Sequence, residues 1–404
     1  MRKTYEFKLY FNKKREAFLD NLFEIASEIY NHALTLCRRY YSLSGKSIDF
    51  YKLKSHITKL TKRATYSHWT KLGSQNIQDI IERIQKGYSV FFSKIKLGMA
   101  AKPPKYKGRK KYKSITFKTN KTKTGRISVG FKFLGGNKIS ILGKTFKFFK
   151  NREIEGEVRT LTVKKDSCGS YWIFISCEVP SHEISASKIC NVEGFDFGLK
   201  NFLTLSDGKT VECPQFFKNK LDEVAALSRS LSRKRNQNKR KVSNRYRKVR
   251  AKLARLHRDL ANCRKDFHFK LSLELVREYD LLVFENLNLA EMKTKYNFGR
   301  KISDYGFGEF LNLTEYRCKD YGKTFHKIDR YYPSSKKCNV CDNINKDLKL
   351  SDRTWICPNC SCNLDRDVNA AINIKNEGRR VFLPSILENV DETSTFSSSR
   401  SPAL

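Results

Sequence analysis

Two closely spaced cysteine pairs constrain the fold of this chain more than any other feature of its sequence. Cys338 and Cys341 form one CxxC pair, Cys357 and Cys360 form a second, and fifteen residues separate the two pairs. Two such turns supply the four thiolates of a tetrahedral structural zinc site, at a spacing typical of zinc ribbons. The pattern predicts one structural Zn²⁺ ion with no open position for catalysis, and it leaves Cys362 as a spare thiol.

Most of the other cysteines lie far apart in the sequence, which indicates free thiols in a reducing compartment rather than a disulfide framework. The longest apolar runs are short, for example Leu281 to Phe284, and a membrane span needs roughly 18 apolar residues. The basic amino-terminal segment lacks the apolar region of a secretory signal. We therefore expect a cytoplasmic protein with no membrane partner.

The chain is strongly basic. Its 404 residues include 81 Lys and Arg against 41 Asp and Glu, a formal net charge of +40. A surplus of this size makes a compact chain repel itself unless a polyanion neutralises it, which indicates nucleic acid as the partner. With 39% hydrophobic and 12% aromatic residues, the composition is too apolar for a disordered basic tail. The length of 404 residues predicts two to three folded domains.

Hydrophobic periodicity divides the chain into regions of different secondary structure. Period-two alternation predicts a strand over residues 3–11, and helical periodicity follows over 14–98 until a pair of prolines. Alternating runs as far as residue 179 predict a β-rich domain, a small barrel that the first strand completes. From residue 190 the order strand, hairpin, basic helices, strand predicts an α/β domain, and a short helix follows the cysteine pairs.

Three carboxylates occupy positions that suit a metal site. Asp196 and Glu285 each close an apolar strand, and Asp367 opens the last predicted helix. Carboxylate oxygens are the ligands that Mg²⁺ prefers, and two ions about 4 Å apart can activate water and stabilise a departing 3′ oxygen. The seven histidines are isolated in the sequence, which argues against a histidine-dependent nuclease. These residues predict a nuclease with two Mg²⁺ ions.

Two basic segments are candidates for nucleic-acid contact. Residues 228–260 are rich in Lys and Arg with apolar positions at helical spacing, which suits either a phosphate-tracking surface or an ordinary solvated helix face. Residues 102–118 interleave cations with Tyr106, Tyr112 and Phe117, which suits stacking and backbone contact with RNA or a single strand.

Several segments resemble the TnpB family of transposon-encoded nucleases, relatives of the miniature type V CRISPR effectors. They are GFDFGLKNFLTLSDG, VFENLNL, YPSSKKCNVC, CPNCSCNLDRDVNAAINI and SNRYRKVRAKLARLHRDLANCRKDF. The resemblance implies a multidomain α+β protein with a helical recognition lobe, a β-barrel wedge domain and a RuvC-like α/β nuclease domain of RNase H fold with an inserted zinc ribbon. The implied boundaries are 1–13 for a wedge strand, 14–100 for the recognition lobe, 101–185 for the wedge barrel, 186–335 for the nuclease domain with its basic helical insert, 336–362 for the target-nucleic-acid-binding ribbon, 363–380 for the final nuclease helix and 381–404 for a disordered tail.

The resemblance also implies a function. We expect an RNA-guided DNA endonuclease of a bacterial transposon, which binds a guide RNA derived from its own element and cuts double-stranded target DNA beside a short flanking motif. The oligomeric state stays open, and a monomer is favoured because one RuvC site per chain can cut two strands in succession. By motif, Asp196, Glu285 and Asp367 match the three RuvC acids that hold the two Mg²⁺ ions. Asp365, two residues earlier, competes with Asp367 for the third role. The family motif uses the acid directly before xNAA, which favours Asp367, and we expect Asp365 to cap the final helix instead. Ala370 and its neighbour Ala371 would let that helix approach the sheet closely.

Further residues receive roles through the same resemblance. Arg353 is a candidate for steadying the scissile phosphate, or an ordinary surface arginine. Polar pairs at helical spacing could read the flanking motif, since glutamine suits adenine edges: Tyr51 with Ser55, and Ser74 with Gln78. The guide RNA is expected to contact Lys102, Lys105, Lys107, Arg109, Lys110 and Lys111.

Three alternatives stay open at this point. A compact CRISPR effector would have the same chemistry but a guide from a CRISPR array. An RNA-guided repressor would bind DNA without cutting it, although the complete set of three acids argues against that. A recombinase or transposase could use the same acids for strand joining.

Overall fold

The computed structural model describes residues 1–122, 125–128, 130–180, 189–198, 200–212, 214–235, 243–289, 291–292, 299–349 and 351–382. The chain divides into two compact units, Met1–Pro180 and Ser181–Leu404. Nearly all of the predicted disordered tail, residues 383–404, lies outside the described residues. None of the helices in the described ranges is both long and apolar enough to cross a membrane.

The first unit begins with a strand and continues with helices. The helices are α1 (Lys13–Ser44), α2 (Phe50–Leu60) and α3 (Ser74–Lys96), with a 3-10 segment at Ala64–Leu72. The Asn12 side chain caps α1 by accepting a hydrogen bond from the Arg15 amide at 3.0 Å, and Gly45 ends this helix in the left-handed conformation with φ 65°. Isoleucines at helical spacing on α3, including Ile77, Ile80 and Ile84, are buried. The predicted helical region is confirmed.

An eight-stranded antiparallel sheet forms the rest of the first unit. Its strands are β1 (Arg2–Tyr10), β2 (Ser114–Thr122), β3 (Gly125–Ser128), β4 (Phe131–Phe133), β5 (Lys138–Ile141), β6 (Lys144–Phe148), β7 (Glu157–Lys165) and β8 (Tyr171–Glu178). Their spatial order is β3-β2-β7-β8-β1-β6-β5-β4. The amino-terminal strand thus joins two groups of strands, as predicted. The ring of Phe117 in β2 lies 6.5 Å from that of Phe131 in β4, so the sheet curls until its two ends nearly meet.

The second unit contains a five-stranded mixed sheet. Its strands are β9 (Val192–Asp196), β10 (Leu203–Leu205), β11 (Thr210–Val211), β12 (Leu281–Phe284) and β13 (Thr324–Lys327), in the order β11-β10-β9-β12-β13. The pairs β9–β12 and β12–β13 are parallel, whereas β9–β10 and β10–β11 are antiparallel. The helices are α4 (Leu221–Arg233), α5 (Asn244–Glu278), α6 (Gly299–Tyr305), α7 (Phe307–Tyr321) and α8 (Arg366–Phe382). This arrangement confirms the predicted α/β domain.

Both faces of the mixed sheet are covered. Phe195 and Phe284 point to one face and belong to an aromatic core with residues of α5 and α7. Val192 and Val283 point to the opposite face, where Ile374 of α8 packs against them. Residues two apart in a strand share a face. Gly194 and Asp196, which follow Val192, and Glu285, which follows Val283, therefore point toward α8 as well.

A small two-stranded sheet precedes α8. Strand β14 (Thr354–Ile356) pairs with β15 (Asn363–Asp365), which runs directly into α8. Trp355 and Leu348 pack with the four paired cysteines in a separate small core.

Candidate active site

Strand register brings Asp196 and Glu285 together. In the parallel pair β9–β12, Phe195 lies opposite Phe284, and each of the two acids is the next residue along its strand. The two side chains therefore emerge side by side at the carboxyl end of the sheet, on the face that carries Val192 and Val283. Asp196 is buried, with 8% of its surface exposed.

Helix α8 approaches this face so closely that its backbone touches the sheet. A Cβ atom on Gly194 would lie 2.3 Å from the Ala371 carbonyl oxygen and 2.5 Å from the Lys375 amide nitrogen. Ala370 and Ala371 are fully buried, which confirms that small residues permit the close approach. Since Gly194 and Asp196 share a face, the first turn of α8, with Asp367, lies on the same side of the sheet as the other two acids.

Asp196 lies close enough to both other acids to be affected by their charges. Burial, then the nearby carboxylates of Glu285 and Asp367, raise the pKa of Asp196 well above its usual value. Burial also raises the pKa of Glu285. Arg366 opposes both shifts. A buried cluster of like charges is unfavourable by itself, and a divalent cation relieves the repulsion.

One polar side chain beside the cluster was missed at the sequence level. Thr204 in β10 lies directly across from Asp196, and its buried hydroxyl oxygen has no hydrogen-bond partner in the described part of the chain. Buried polar atoms are normally satisfied by protein groups, water or an ion. This hydroxyl and the nearby carboxylates offer oxygen ligands, which are the kind that Mg²⁺ binds.

Arg353 contacts the third acid directly. Its Nη1 donates to both carboxylate oxygens of Asp367, at 3.0 and 3.3 Å. The backbone fixes this pairing, because the Arg366 amide donates to the Arg353 carbonyl oxygen at 2.8 Å where β15 enters α8. The arginine that precedes β14 is therefore held next to the acid cluster.

Asp365 has the capping role that the sequence predicts. Its Oδ1 accepts hydrogen bonds from the amides of Asp367 at 3.0 Å and Val368 at 2.9 Å. These are two of the unsatisfied amides at the start of α8. The Asp365 carboxylate thus caps the start of α8.

Two asparagines of α8 tie the helix to the first cysteine pair. Asn369 accepts from the Asn339 amide at 2.9 Å and donates to the Lys337 carbonyl oxygen at 2.8 Å. Asn373 donates to the carbonyl oxygens of Ser334 at 2.8 Å and Lys337 at 2.6 Å. Both asparagines are buried. In the sequence, the signal for this linking role is an asparagine among apolar residues at helical spacing.

The four paired cysteines form one cluster. Their sulfur atoms all lie within 4.8 Å of one another, with Cys338 to Cys360 at 3.6 Å and Cys341 to Cys357 at 3.5 Å. A hydrogen bond from the Asn359 side chain is the main cause that lowers the pKa of Cys341 to about 6. Hydrogen bonding to backbone amides lowers that of Cys357. Four converging thiols can hold a metal ion once they are deprotonated.

The predicted flanking-motif residues lie on the helices of the first unit. Tyr51 and Ser55 are exposed on one face of α2, where Tyr51 has 83% of its surface exposed. Ser74 begins α3 and is exposed, whereas Gln78 is half-buried. Their role in reading a flanking motif stays a prediction.

The predicted guide-RNA contacts fall into two groups. Lys102, Lys105, Arg109 and Lys111 are exposed, although Arg109 also pairs with Glu28 at 3.0 Å. Lys107 is half-buried, with its ammonium 4.6 Å from the ring of Tyr30 and 4.9 Å from that of Tyr112, and this side chain contributes to the fold. The side chain of Lys110 lies outside the described residues.

The stacking interpretation of residues 102–118 is wrong for two of its three aromatics. Tyr112 and Phe117 are 3% and 1% exposed and belong to the core of the first unit. Tyr106 is 48% exposed, with the guanidinium of Arg38 at 4.4 Å from its ring centroid. Tyr106 alone among these three rings is accessible for stacking.

The basic region 228–260 forms parts of α4 and α5, and residues 236–242 lie outside the described residues. Val249, Leu253, Leu256 and Leu260 lie half-buried at helical spacing on α5, while many cations of this helix are exposed. His268, farther along α5, is fully buried and its Nε2 lies 2.8 Å from the Tyr305 carbonyl oxygen, which fits a core histidine.

Three family models match different parts of this chain. A model described as "Probable transposase" matches residues 174–295, one described as "Cas12f1-like, TNB domain" matches 307–374, and one described as "Helix-turn-helix domain" matches 1–46. The "TnpB-like protein L79" of Acanthamoeba polyphaga mimivirus is 30% identical over 54% of this chain and 43% of its own length. The chain is therefore similar to TnpB proteins in several parts of its sequence. Residues 1–46, which match the helix-turn-helix model, fold as β1 and the long helix α1.

Two longer matches accompany these models. A Streptomyces pristinaespiralis protein named "Putative RNA-guided DNA endonuclease" is 28% identical over 94% of this chain and 90% of its own length. A Cas12f1 chain, solved by cryo-EM in a complex with sgRNA and target DNA, superposes with a TM-score of 0.57. That match covers 91% of this chain and 84% of the other at 15% identity, so it shows a similar fold.

Proposed function

We propose that this protein is an RNA-guided DNA endonuclease encoded by a transposon, and that it cuts DNA at the site formed by Asp196, Glu285 and Asp367. The observation that carries the proposal is that Asp196 and Glu285 lie side by side at one edge of a mixed sheet, where burial and then the carboxylates of Glu285 and Asp367 raise the pKa of Asp196. The full-length relative named as an RNA-guided DNA endonuclease supports the same function.

The three carboxylates would hold two Mg²⁺ ions, which supply an activated water and stabilisation of the departing 3′ oxygen. The chain's own contribution is to fix the carboxylates in position. Register places Asp196 beside Glu285, and the backbone contact at Gly194 holds the first turn of α8 over the same face. Pre-positioning of this kind removes the entropy cost of assembling the reacting groups.

Arg353 would stabilise the scissile phosphate. Its side chain is 55% exposed while it donates to Asp367, so it can face a substrate and the acid cluster at once. An arginine near a phosphate provides charge-assisted hydrogen bonds at the place where negative charge develops. No protein nucleophile is required.

The remaining surface would hold two polyanions, a guide RNA and the target DNA. The formal charge of +40 supplies the attraction. In this proposal, base pairing reads the target, Tyr51, Ser55, Ser74 and Gln78 read the flanking duplex, and the exposed cations between residues 102 and 111 contact the guide. The first unit would then comprise a helical recognition lobe and a wedge barrel, and the mixed sheet with α8 a RuvC-like nuclease domain.

The four-cysteine cluster would bind one structural Zn²⁺ ion. A bound ion would stabilise the segment that carries Arg353, since Trp355 in β14 packs in the same core as the cysteines. In the Cys338→Ser variant, we expect zinc content measured by plasma mass spectrometry to fall and target loading to weaken. Cys362→Ser is the matched control, because this thiol lies outside the cluster. Normal zinc content and full activity in Cys338→Ser would contradict the assignment.

The test of the function starts with purification after co-expression with the DNA that flanks the gene. RNA that survives a high-salt wash is sequenced and then used to program cleavage of a matched DNA target. A discrete RNA from beside the gene, with Mg²⁺-dependent cutting that vanishes in Asp196→Ala, is the expected result. An RNA from a CRISPR array would indicate a CRISPR effector. Target binding without cleavage would indicate a repressor, and strand joining would indicate a transposase.

A further inference from the structure

An aromatic cavity lies among the helices of the first unit. It has a volume of about 350 Å³ and opens between the end of α1, the start of α2 and the second half of α3. Five aromatic side chains and one arginine contribute to its wall: Tyr41, Phe50, Tyr88, Phe91, Phe92 and Arg38. The volume is near the lower limit of roughly 300–1,000 Å³ for small-ligand sites and suits a single flat group.

The aromatic rings at the mouth of this cavity are solvent-exposed. Tyr41 has 60% and Phe92 45% of its surface exposed, and Val90 and Ile95 nearby on α3 are exposed by 56% and 50%. Soluble proteins seldom leave a continuous apolar surface of this kind without a binding partner.

The charge of the surrounding sequence identifies the kind of partner. From Arg83 to Arg152 the chain contains no Asp or Glu, while Lys or Arg recurs every few residues. This stretch includes the part of α3 that lines the cavity. A second copy of the chain would bring the same positive charge to the surface and be repelled, whereas a polyanion would be attracted. Aromatic rings among cations are the surface that binds unpaired nucleotides, because bases stack on rings while phosphates meet cations.

The arginine in the wall is already fixed in place. Arg38 Nη2 donates to the Pro104 carbonyl oxygen at 2.8 Å, and the neighbouring Pro103 lines the cavity. The exposed lysines expected to contact the guide, Lys102 and Lys105, flank these two prolines. A strand that follows these lysines would therefore pass the mouth of the cavity.

We propose that this cavity binds one unpaired nucleobase of the protein's RNA, stacked between aromatic side chains. The proposal rests on the proposed function in naming RNA as the partner, and it adds a specific site for a flipped or single-stranded base. Stacking requires no base-specific hydrogen bonds, so the site accepts more than one base.

The test uses the full-length Tyr41→Ala/Phe92→Ala double variant. Both side chains are substantially exposed, so their removal leaves the buried core intact, which thermal unfolding checks. Tyr321→Ala is the matched control, because Tyr321 is 44% exposed and lies on the second unit. The probe is labelled RNA transcribed from DNA flanking the gene, with affinity measured over a series of salt concentrations.

We expect the double variant to bind this RNA about tenfold more weakly at every salt concentration, since each stacked base contributes substantially to affinity. The slope of log affinity against log salt should stay unchanged, because no phosphate contact is lost. In the wild-type complex, ultraviolet cross-linking followed by mass spectrometry should find an adduct on a residue of the cavity wall.

Wild-type affinity in the double variant, with no cross-link in the cavity, would overturn the proposal. So would a change from dimer to monomer in sedimentation with unchanged RNA affinity, since the cavity would then be a self-association surface.

The base-binding proposal and the proposed nuclease function fail in different experiments. If the variant binds RNA normally while the wild type performs guided cleavage, the base site alone is refuted; if the affinity loss appears but no DNA is cut, the nuclease function is refuted.

Discussion

The Gly194→Ala variant tests whether the close packing of α8 positions the third acid. The added Cβ would lie 2.3 Å from the Ala371 carbonyl oxygen, and ordinary contact begins near 3.4 Å, so α8 must withdraw by about 1 Å. The atoms in the way belong to the backbone, so no change of rotamer relieves the clash. We expect destabilisation of about 1–3 kcal/mol, typical of overpacking.

The larger effect of this variant should be on catalysis. A shift of about 1 Å in a group that holds the reacting atoms can slow a reaction about 10²-fold, and α8 carries Asp367 in its first turn. The assay compares single-turnover cleavage, RNA affinity and denaturant unfolding with those of the wild type. Cleavage should fall while RNA affinity is unchanged.

A matched control lies at the other end of α8. A Cβ on Gly378 would lie 2.3 Å from Val283 Cγ2, a side-chain atom that can be removed. Gly378→Ala should therefore be rescued by Val283→Ala, whereas Gly194→Ala has no such partner. Wild-type stability and cleavage in Gly194→Ala would refute the packing argument.

Three further predictions follow from single contacts. Arg353→Ala should slow cleavage about 10²-fold with RNA binding unchanged. Arg353→Lys should cleave at an intermediate rate, because lysine keeps the charge without the planar guanidinium. Equal cleavage rates in the wild type and both variants would exclude a role for Arg353 in stabilising the phosphate. Asp365→Ala should destabilise α8 by about 1 kcal/mol in urea unfolding whereas Asp365→Asn should be nearly neutral, and equal losses would contradict the cap. Burial lowers the pKa of His268 below the 6.5 of the unfolded chain, so the unfolded state binds more protons and stability is lost as pH falls below about 6.5. Burial also lowers the pKa of His32 and His326, so the loss should become smaller in His268→Leu without vanishing and should keep its size in His257→Leu, as urea midpoints between pH 5 and 7 would show.

Residues with a strong local signal were predictable from the sequence. An acid that closes a largely apolar strand, such as Asp196 or Glu285, is expected at the end of a buried sheet, and parallel pairing then brings the two together. The spacing of the cysteine pairs likewise allows few arrangements other than one cluster.

Residues whose role depends on tertiary packing were not predictable in this way. The alternation of cations and aromatics around Phe117 fits a nucleic-acid surface, but it is also the pattern of a half-buried strand. The second explanation holds, since Ile115 and Phe117 are buried on one face of β2. The pairing of Arg353 with Asp367 depends on how β15 enters α8, which no local pattern reveals. Gly194 offered a weak signal, because glycine inside a strand often marks a close backbone approach.

The central claim is that Asp196, Glu285 and Asp367 form one metal-dependent site, and cleavage by their variants tests it most directly. Asp196→Asn, Glu285→Gln and Asp367→Asn are measured singly and in pairs, with guide-RNA and target-DNA binding measured alongside. If the acids act as a unit, each single variant should abolish Mg²⁺-dependent cleavage, pairs should be no worse than singles, and binding should persist. Substantial cleavage in any single variant, or losses that add from one acid to the next, would contradict the account.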